Sequence, residues 1–150
     1  RLIAEHLQKF VGEYRGDAII VPVPLHRSRL WRRGFNQSVL IGRELSRCSG
    51  IEMDHDVIRR CKATPPLRGM TGKQRGRTVA AAFAPGAAAE TVLAGKSVLL
   101  VDDVYTSGST SGACARLLKK AGAKQVLVFC WARVISDAEN GRLPVPPGIP

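Results

Sequence analysis

The sequence predicts an α/β domain built on a mostly parallel, twisted sheet flanked by helices. Three observations predict it. The apolar run SVLLVDDV (97–104), the helical pattern SGACARLLKKAG (111–122) and the apolar run QVLVFCWARV (125–134) follow one another with short breaks. Strand, helix, strand in that order makes two parallel neighbours in one sheet. A further β-rich run, AIIVPVP (18–24), supplies another buried strand near the start of the chain.

The elements follow in order. Ile3, Leu7, Phe10 and Tyr14 recur at helical spacing and predict an amphipathic helix that Gly16 ends. The far end of the 18–24 strand leaves the sheet ladder, because Pro22 and Pro24 have no N–H to donate. A basic loop, LHRSRLWRRGFNQS, then leads into a helix with Ile41, Leu45 and Cys48 on one face and Gly50 at its end. DVIRR (56–60) reads as a short strand and AAAFAP (80–85) as an edge strand. Between them, residues 61–77 are rich in Pro, Gly and basic side chains and read as a long mobile loop with at most one helical turn. Trp131, inside an apolar strand, reads as core. The organisation expected is one domain over 1–135 and a loosely ordered tail over 136–150.

Composition narrows the function. The chain of 150 residues is 45% hydrophobic and carries 23 Lys+Arg against 12 Asp+Glu, a net charge of +11. Such an excess favours polyanionic partners, phosphorylated metabolites or nucleic acid, without specifying a fold. Cys48, Cys61, Cys114 and Cys130 are scattered with no C-x-x-C pair. That spacing argues against zinc and for reduced thiols in a cytoplasmic protein. No apolar run is long enough to span a bilayer, so no membrane insertion is expected. A chain that opens on Arg reads as part of a longer one.

The chemistry concentrates in VLLVDDVYTSGSTSG (98–112). Asp102 and Asp103 end a buried strand, directly before Thr106, Ser107, Gly108, Ser109 and Thr110. In parallel sheets ligands bind beyond the carboxyl ends of the strands. Gly108 can take a positive φ, and successive N–H groups at a helix N-terminus suit a phosphate. Two carboxylates beside an anion site would repel it unless they hold hydroxyls. A carboxylate is an acceptor-only group that grips a diol through charge-assisted hydrogen bonds. The stretch therefore fits a ribose 5-phosphate, with the sugar over the acid pair and the phosphate in 106–110. Rival phosphate motifs fail: AGKS (94–97) has Glu90 where a P-loop needs glycine, and no G-x-G-x-x-G occurs.

The same residues resemble the phosphoribosyl-pyrophosphate (PRPP) signature of type I phosphoribosyltransferases. With VPVPLHRSRLWRRGFNQS (21–38) and TPPLRGMTGKQRGRTVAAAF (64–83), in that order, the chain resembles the ComF/GntX family. It departs at Leu67, where the family tends to have Gln, and at Gln74 and Thr78, where it tends to have Glu and Asn. The family's N-terminal cysteine-pair metal segment is not in this sequence. The resemblance implies a type I phosphoribosyltransferase-like fold in which Asp102 and Asp103 hold the ribose hydroxyls and act in catalysis. They would meet magnesium (Mg2+) only through PRPP. Thr106 to Thr110 would hold the 5-phosphate. The loop Pro24, Leu25, His26, Arg27 would lie at the pyrophosphate. Basic residues Arg68, Lys73, Arg75 and Arg77, with Arg60 and Lys62, either close over the departing anion as a mobile loop or stay on an exposed, solvated one.

His26 is either a leaving-group contact or a surface histidine. Asn36 and Gln37 either read an acceptor or cap the following helix. Arg27, Arg29, Arg32 and Arg33 interleave with Trp31 and Phe35, a pattern that suits single-stranded DNA unless the aromatics pack inward. The function expected is a PRPP-dependent transferase with an acceptor the sequence does not specify. The alternative is a non-catalytic PRPP-fold module for DNA uptake that binds single-stranded DNA or a competence-machinery protein. The sequence does not determine an oligomeric state.

Overall fold

The computed structural model describes residues 12, 16–26, 30–31, 34–64 and 69–133. The expected first helix, Arg27, Arg29, Arg32, Arg33, Arg68 and the 136–150 tail lie outside them. Strand β1 (Ala18–Pro22) is buried throughout. It is followed by helix α1 (Gln37–Ser49), β2 (Ile58–Arg60), α2 (Gly72–Ala80), β3 (Phe83–Pro85) and α3 (Ala89–Leu93). Strand β4 (Ser97–Tyr105), α4 (Ser109–Lys120) and β5 (Gln125–Arg133) complete the order. The main sheet runs β1-β4-β5 and is parallel, with Ala18 opposite Ser97 and Ser97 opposite Gln125. A bridge from Ile20 to Met53 extends the far edge of β1. β2 and β3 form a separate antiparallel ribbon.

The strands sort their side chains by the period of two. Ile19, Val21, Val98 and Leu100 face one side, packing with Ile58, Phe83, Leu93, Cys114 and Leu118 from the ribbon, α3 and α4. Ile20, Leu99 and Val101 face the other, against Leu45 and Ile41 of α1. Helices on both faces leave β4 no wet side, which is why its first residues read as a continuous apolar run rather than an alternating one. α1 starts where Asn36 Oδ1 accepts from Ser38 N at 3.0 Å, and ends at Gly50 in the left-handed region.

Three sequence expectations need correction. Lys73, Arg75 and Arg77 do not lie on a mobile loop: they sit on α2. The nucleating signal is a capping box, in which Thr71 Oγ1 accepts from Gln74 N and Gln74 Oε1 accepts from Thr71 N. Val79, buried, then fastens the helix to the core. Glycines at 72 and 76 obscured that signal by lowering helix propensity. The edge strand expected over 80–85 shortens to β3, because Ala80 still belongs to α2. Trp131 is not core: it is 64% exposed on β5, which pairs only with β4 among the described strands. α3, a short helix, had no sequence expectation.

Leu100 is fully buried in β4. Leu100→Ala is expected to cost about 2–5 kcal/mol of stability, measured by urea denaturation. A loss of under about 1 kcal/mol would contradict close packing around this strand.

Candidate active site

β4 continues past the dry part of the sheet and delivers its two carboxylates at the rim. Asp102 still lies in the ladder opposite Cys130 and is only 6% exposed. Asp103, half-buried, accepts from Val104 N at 2.9 Å through its own Oδ1. Burial pushes the Asp102 carboxyl up to about 6, and the adjacent Asp103 charge pushes in the same direction. Cys114, fully buried, is pushed up to about 12 by burial and then by Asp102, with Arg60 opposing. Cys130 is pushed up to about 11 by burial and by both carboxylates. Both thiols therefore stay protonated and are poor nucleophiles at neutral pH.

Beyond Tyr105 the chain bends through Thr106 and Ser107 to Gly108, at φ 69° the N-cap of α4. The Tyr105 hydroxyl packs so closely on Gly108 that a Cβ there would collide with it. Space and backbone conformation thus both demand glycine. Ser107 and Ser109 share a hydroxyl–hydroxyl bond of 2.8 Å. α4 starts at Ser109, two residues earlier than the apolar pattern suggested, so Ser109 and Thr110 occupy its first turn. Among the described residues no side chain caps that end.

The loop after β1 meets this tip. Val23 N donates to Val101 O at 2.8 Å, and Asn36 Nδ2 donates to Val23 O at 3.0 Å. Asn36 therefore caps α1 and ties the loop to it. Together they form a cleft of about 250 Å³ lined by Val23, Pro24, Leu25, Ser38, Arg60, Asp102, Asp103, Val104 and Thr110. The structure thus brings Pro24 and Leu25 to the acid pair and Thr110. His26 lies in the same loop but not in the lining, and its carbonyl accepts from Leu30 N. Lys73, Arg75 and Arg77 are not among the lining residues. Ser38 escaped the sequence reading: it is buried in the first turn of α1, and only the Asn36 capping pattern points to it.

A parallel sheet whose central strand ends in an acid pair, followed by a glycine-bent hydroxyl loop that opens a helix, defines the type I phosphoribosyltransferase fold. Residues 49–144 match the phosphoribosyl transferase domain family. The chain is 39% identical over 114 residues to Competence protein F of Haemophilus influenzae, covering 76% of this chain and 49% of that protein. It is 39% identical over 130 residues to DNA utilization protein YhgH of Escherichia coli K12, covering 87% of this chain and 55% of that one. The chain spans about half the length of the curated relatives it matches. Adenine phosphoribosyltransferase of Saccharomyces cerevisiae aligns with a TM-score of 0.55 at 17% identity, over 88% of this chain and 64% of that one. That likeness is one of fold. The chain belongs to the phosphoribosyl transferase domain family, as a protein of the ComF type.

Because the folded-state pKa of Asp102 lies above its ordinary value of 3.8, folding favours the neutral acid. That stability is fully present below about pH 4 and is lost as the pH rises to about 6. Asp102→Asn mimics the neutral acid. Without ligand it should melt above the parent protein at pH 6 and higher, and level with it near pH 4. Thermal denaturation across that range checks this; a difference independent of pH would contradict the desolvation of Asp102.

Proposed function

We propose that this domain binds magnesium PRPP and transfers its phosphoribosyl group to a nucleophilic acceptor, releasing pyrophosphate. One arrangement carries this reading: the cleft that gathers Asp102, Asp103 and Thr110 against Pro24 and Leu25. Asp102 and Asp103 accept hydrogen bonds from the two ribose hydroxyls, each charge-assisted bond contributing about 1.5–3 kcal/mol. The backbone N–H groups and hydroxyls of Thr106, Ser107, Gly108, Ser109 and Thr110 hold the 5-phosphate at the positive end of α4. The loop from Pro24 to Arg27 takes the pyrophosphate. Magnesium arrives with the substrate phosphates. A pair of carboxylates fits an ion that keeps most of its ligands from water and phosphate oxygens.

In the reaction the bond from ribose C1 to the pyrophosphate oxygen breaks, and its electron pair leaves with pyrophosphate. The acceptor's lone pair forms the new bond to C1, and the acceptor's proton passes to solvent. Negative charge grows on the leaving group while C1 becomes cationic. Fixed donors on the leaving-group side therefore assist the step. In-line displacement requires the acceptor opposite the leaving group. A second cleft of about 490 Å³, lined by Leu30, Phe35, Val39 and Leu40, shares Pro24 and Leu25 with the pyrophosphate side. By that geometry it does not serve the acceptor.

That cleft favours a second reading, a module for DNA uptake or competence, the role named in its relatives Competence protein F and DNA utilization protein YhgH. Trp31 is 84% exposed, and Leu30, Phe35 and Leu40 are exposed with it, so the aromatics do not pack inward. Phe35 lines that cleft with Arg43, Arg59 and Arg60, and an exposed aromatic among arginines suits stacking on the bases of single-stranded DNA. Among the described residues no helix is long and apolar enough to cross a membrane. The exposed free thiols of Cys48 and Cys61 fit a reducing, cytoplasmic setting.

Isothermal titration with PRPP, with and without magnesium, tests the first reading. Magnesium-dependent micromolar binding is expected, and it should vanish in the double variant Asp102→Asn, Asp103→Asn with its circular dichroism unchanged. Unchanged affinity would overturn the diol assignment.

For the second reading, Trp31→Ala should weaken single-stranded DNA binding by roughly 1–3 kcal/mol, and affinity should fall steeply with salt. A flat salt response would exclude the basic face as the DNA site.

A further inference from the structure

The two clefts share a wall. Pro24, Leu25 and Arg60 are the described residues that line both. A wall whose residues face both cavities is a single layer, so a movement that widens one cleft there narrows the other.

One side chain fastens that wall. Asn36 lines the larger cleft, yet its amide is bonded to residues of the smaller one. Its Oδ1 accepts from Ser38 N and its Nδ2 donates to Val23 O, each at 3.0 Å. Ser38 and Val23 both line the acid cleft. Val23 is held from its other side too, by its N–H on the carbonyl of Val101, one residue before Asp102. Asn36 is also the N-cap of α1, which carries Val39, Leu40 and Arg43 into the larger cleft. A displacement of the loop after β1 therefore carries the start of α1 with it, and a displacement of α1 carries the loop.

The volumes give this linkage its sign. The acid cleft holds about 250 Å³ and the larger one about 490 Å³. Sites that bury small ligands run to roughly 300–1,000 Å³. A ribose with phosphates at both ends fills the acid cleft only if the shared wall gives way toward the larger one. A nucleobase in the larger cleft holds the wall where it stands. Charge acts in the same direction. PRPP and a DNA strand are both polyanions, and they repel across a single side-chain layer that physiological salt screens only in part.

We propose that the larger cleft regulates the smaller: single-stranded DNA bound in it weakens PRPP binding, and Asn36 is the positioning residue that couples them. This linkage rests on the readings that PRPP takes the acid cleft and a single strand the larger one. Because linked binding is reciprocal, PRPP weakens the strand's binding by the same factor.

The test follows fluorescein-labelled oligothymidylate by anisotropy as the intact chain is added, at rising PRPP in excess magnesium. Sodium sulfate of matched ionic strength is the control, because salt alone weakens such binding. The oligonucleotide's affinity should fall about 5- to 50-fold and level off once PRPP saturates. Calorimetric titration of PRPP, with and without saturating oligothymidylate, should return the same factor. Asn36→Ser keeps a capping oxygen for α1 but offers no amide donor to Val23 O, and it should leave a factor under about threefold. The factor is a ratio of affinities for one ligand, so any change the substitution makes to either affinity alone cancels. Asn36→Asp also caps and also lacks the donor; it carries the test if the serine variant fails to fold.

An affinity that keeps falling with PRPP and reaches no plateau would mean one shared site and would overturn the linkage. A factor that persists undiminished in the Asn36 variants would also overturn it. If both ligands bind and neither affects the other, the linkage fails while the readings of the two clefts stand. If the parent chain binds only one of them, the reading of the other cleft fails and the linkage fails with it.

Discussion

The transition from dry to wet along β4 is the constraint on which the rest of the molecule depends. Residues Ser97 to Asp102 are all buried, flanked by β1 and β5 in the ladder and covered by helices on both faces. A strand so enclosed satisfies its backbone within the sheet and leaves only side-chain chemistry to vary. Val101 ends the apolar part, and the next position, still in the ladder, is a carboxylic acid. The sheet needs no charge at that point. Placing one there costs desolvation, and the raised pKa of Asp102 records that cost.

A strained charge of this kind has meaning when something relieves it. A hydrogen-bond donor or a cation brought to the carboxylate would do so. The elements around the cleft divide the work by rigidity. Asp102 and Arg60 stand on strands, Ser38 and Thr110 in the first turns of helices, and Pro24 and Leu25 in a loop held by Asn36. Such a frame fixes the lining side chains by position rather than by adaptation, and a pre-organised site loses less entropy on binding. Asn36 serves two structural ends at once, capping α1 and fastening the loop that closes the cleft.

The exposed apolar side chains form a second theme, separate from the acid cleft. Leu30, Phe35 and Leu40 line one cleft beside the start of α1, and Trp31, next to Leu30 in the chain, is exposed as well. Leu127, Val128 and Trp131 lie exposed along β5. A sequence strand of uniform apolar character reads as buried on both faces, but β5 has a neighbour on one side only among the described strands. The apolar composition is the same for a covered strand and for one that awaits a cover, so composition could not place Trp131.

The amino-acid sequence by itself determined the strand–helix–strand unit, the acid pair at a strand's end and the glycine that turns the chain toward α4. These are local properties: alternation, helical spacing and a positive φ are written within a few neighbouring residues. It also carried the Thr71–Gln74 capping box, hidden among glycines and basic residues. Tertiary structure decided that Pro24 and Leu25 would meet Asp102, that Arg60 and Ser38 would join them, and that Lys73, Arg75 and Arg77 would ride on a helix outside the lining of that cleft. It also decided how far Asp102 would resist ionisation. The reason is physical: a parallel sheet pairs β1 with β4 across every intervening element, so proximity and burial depend on the whole crossover and on no single segment.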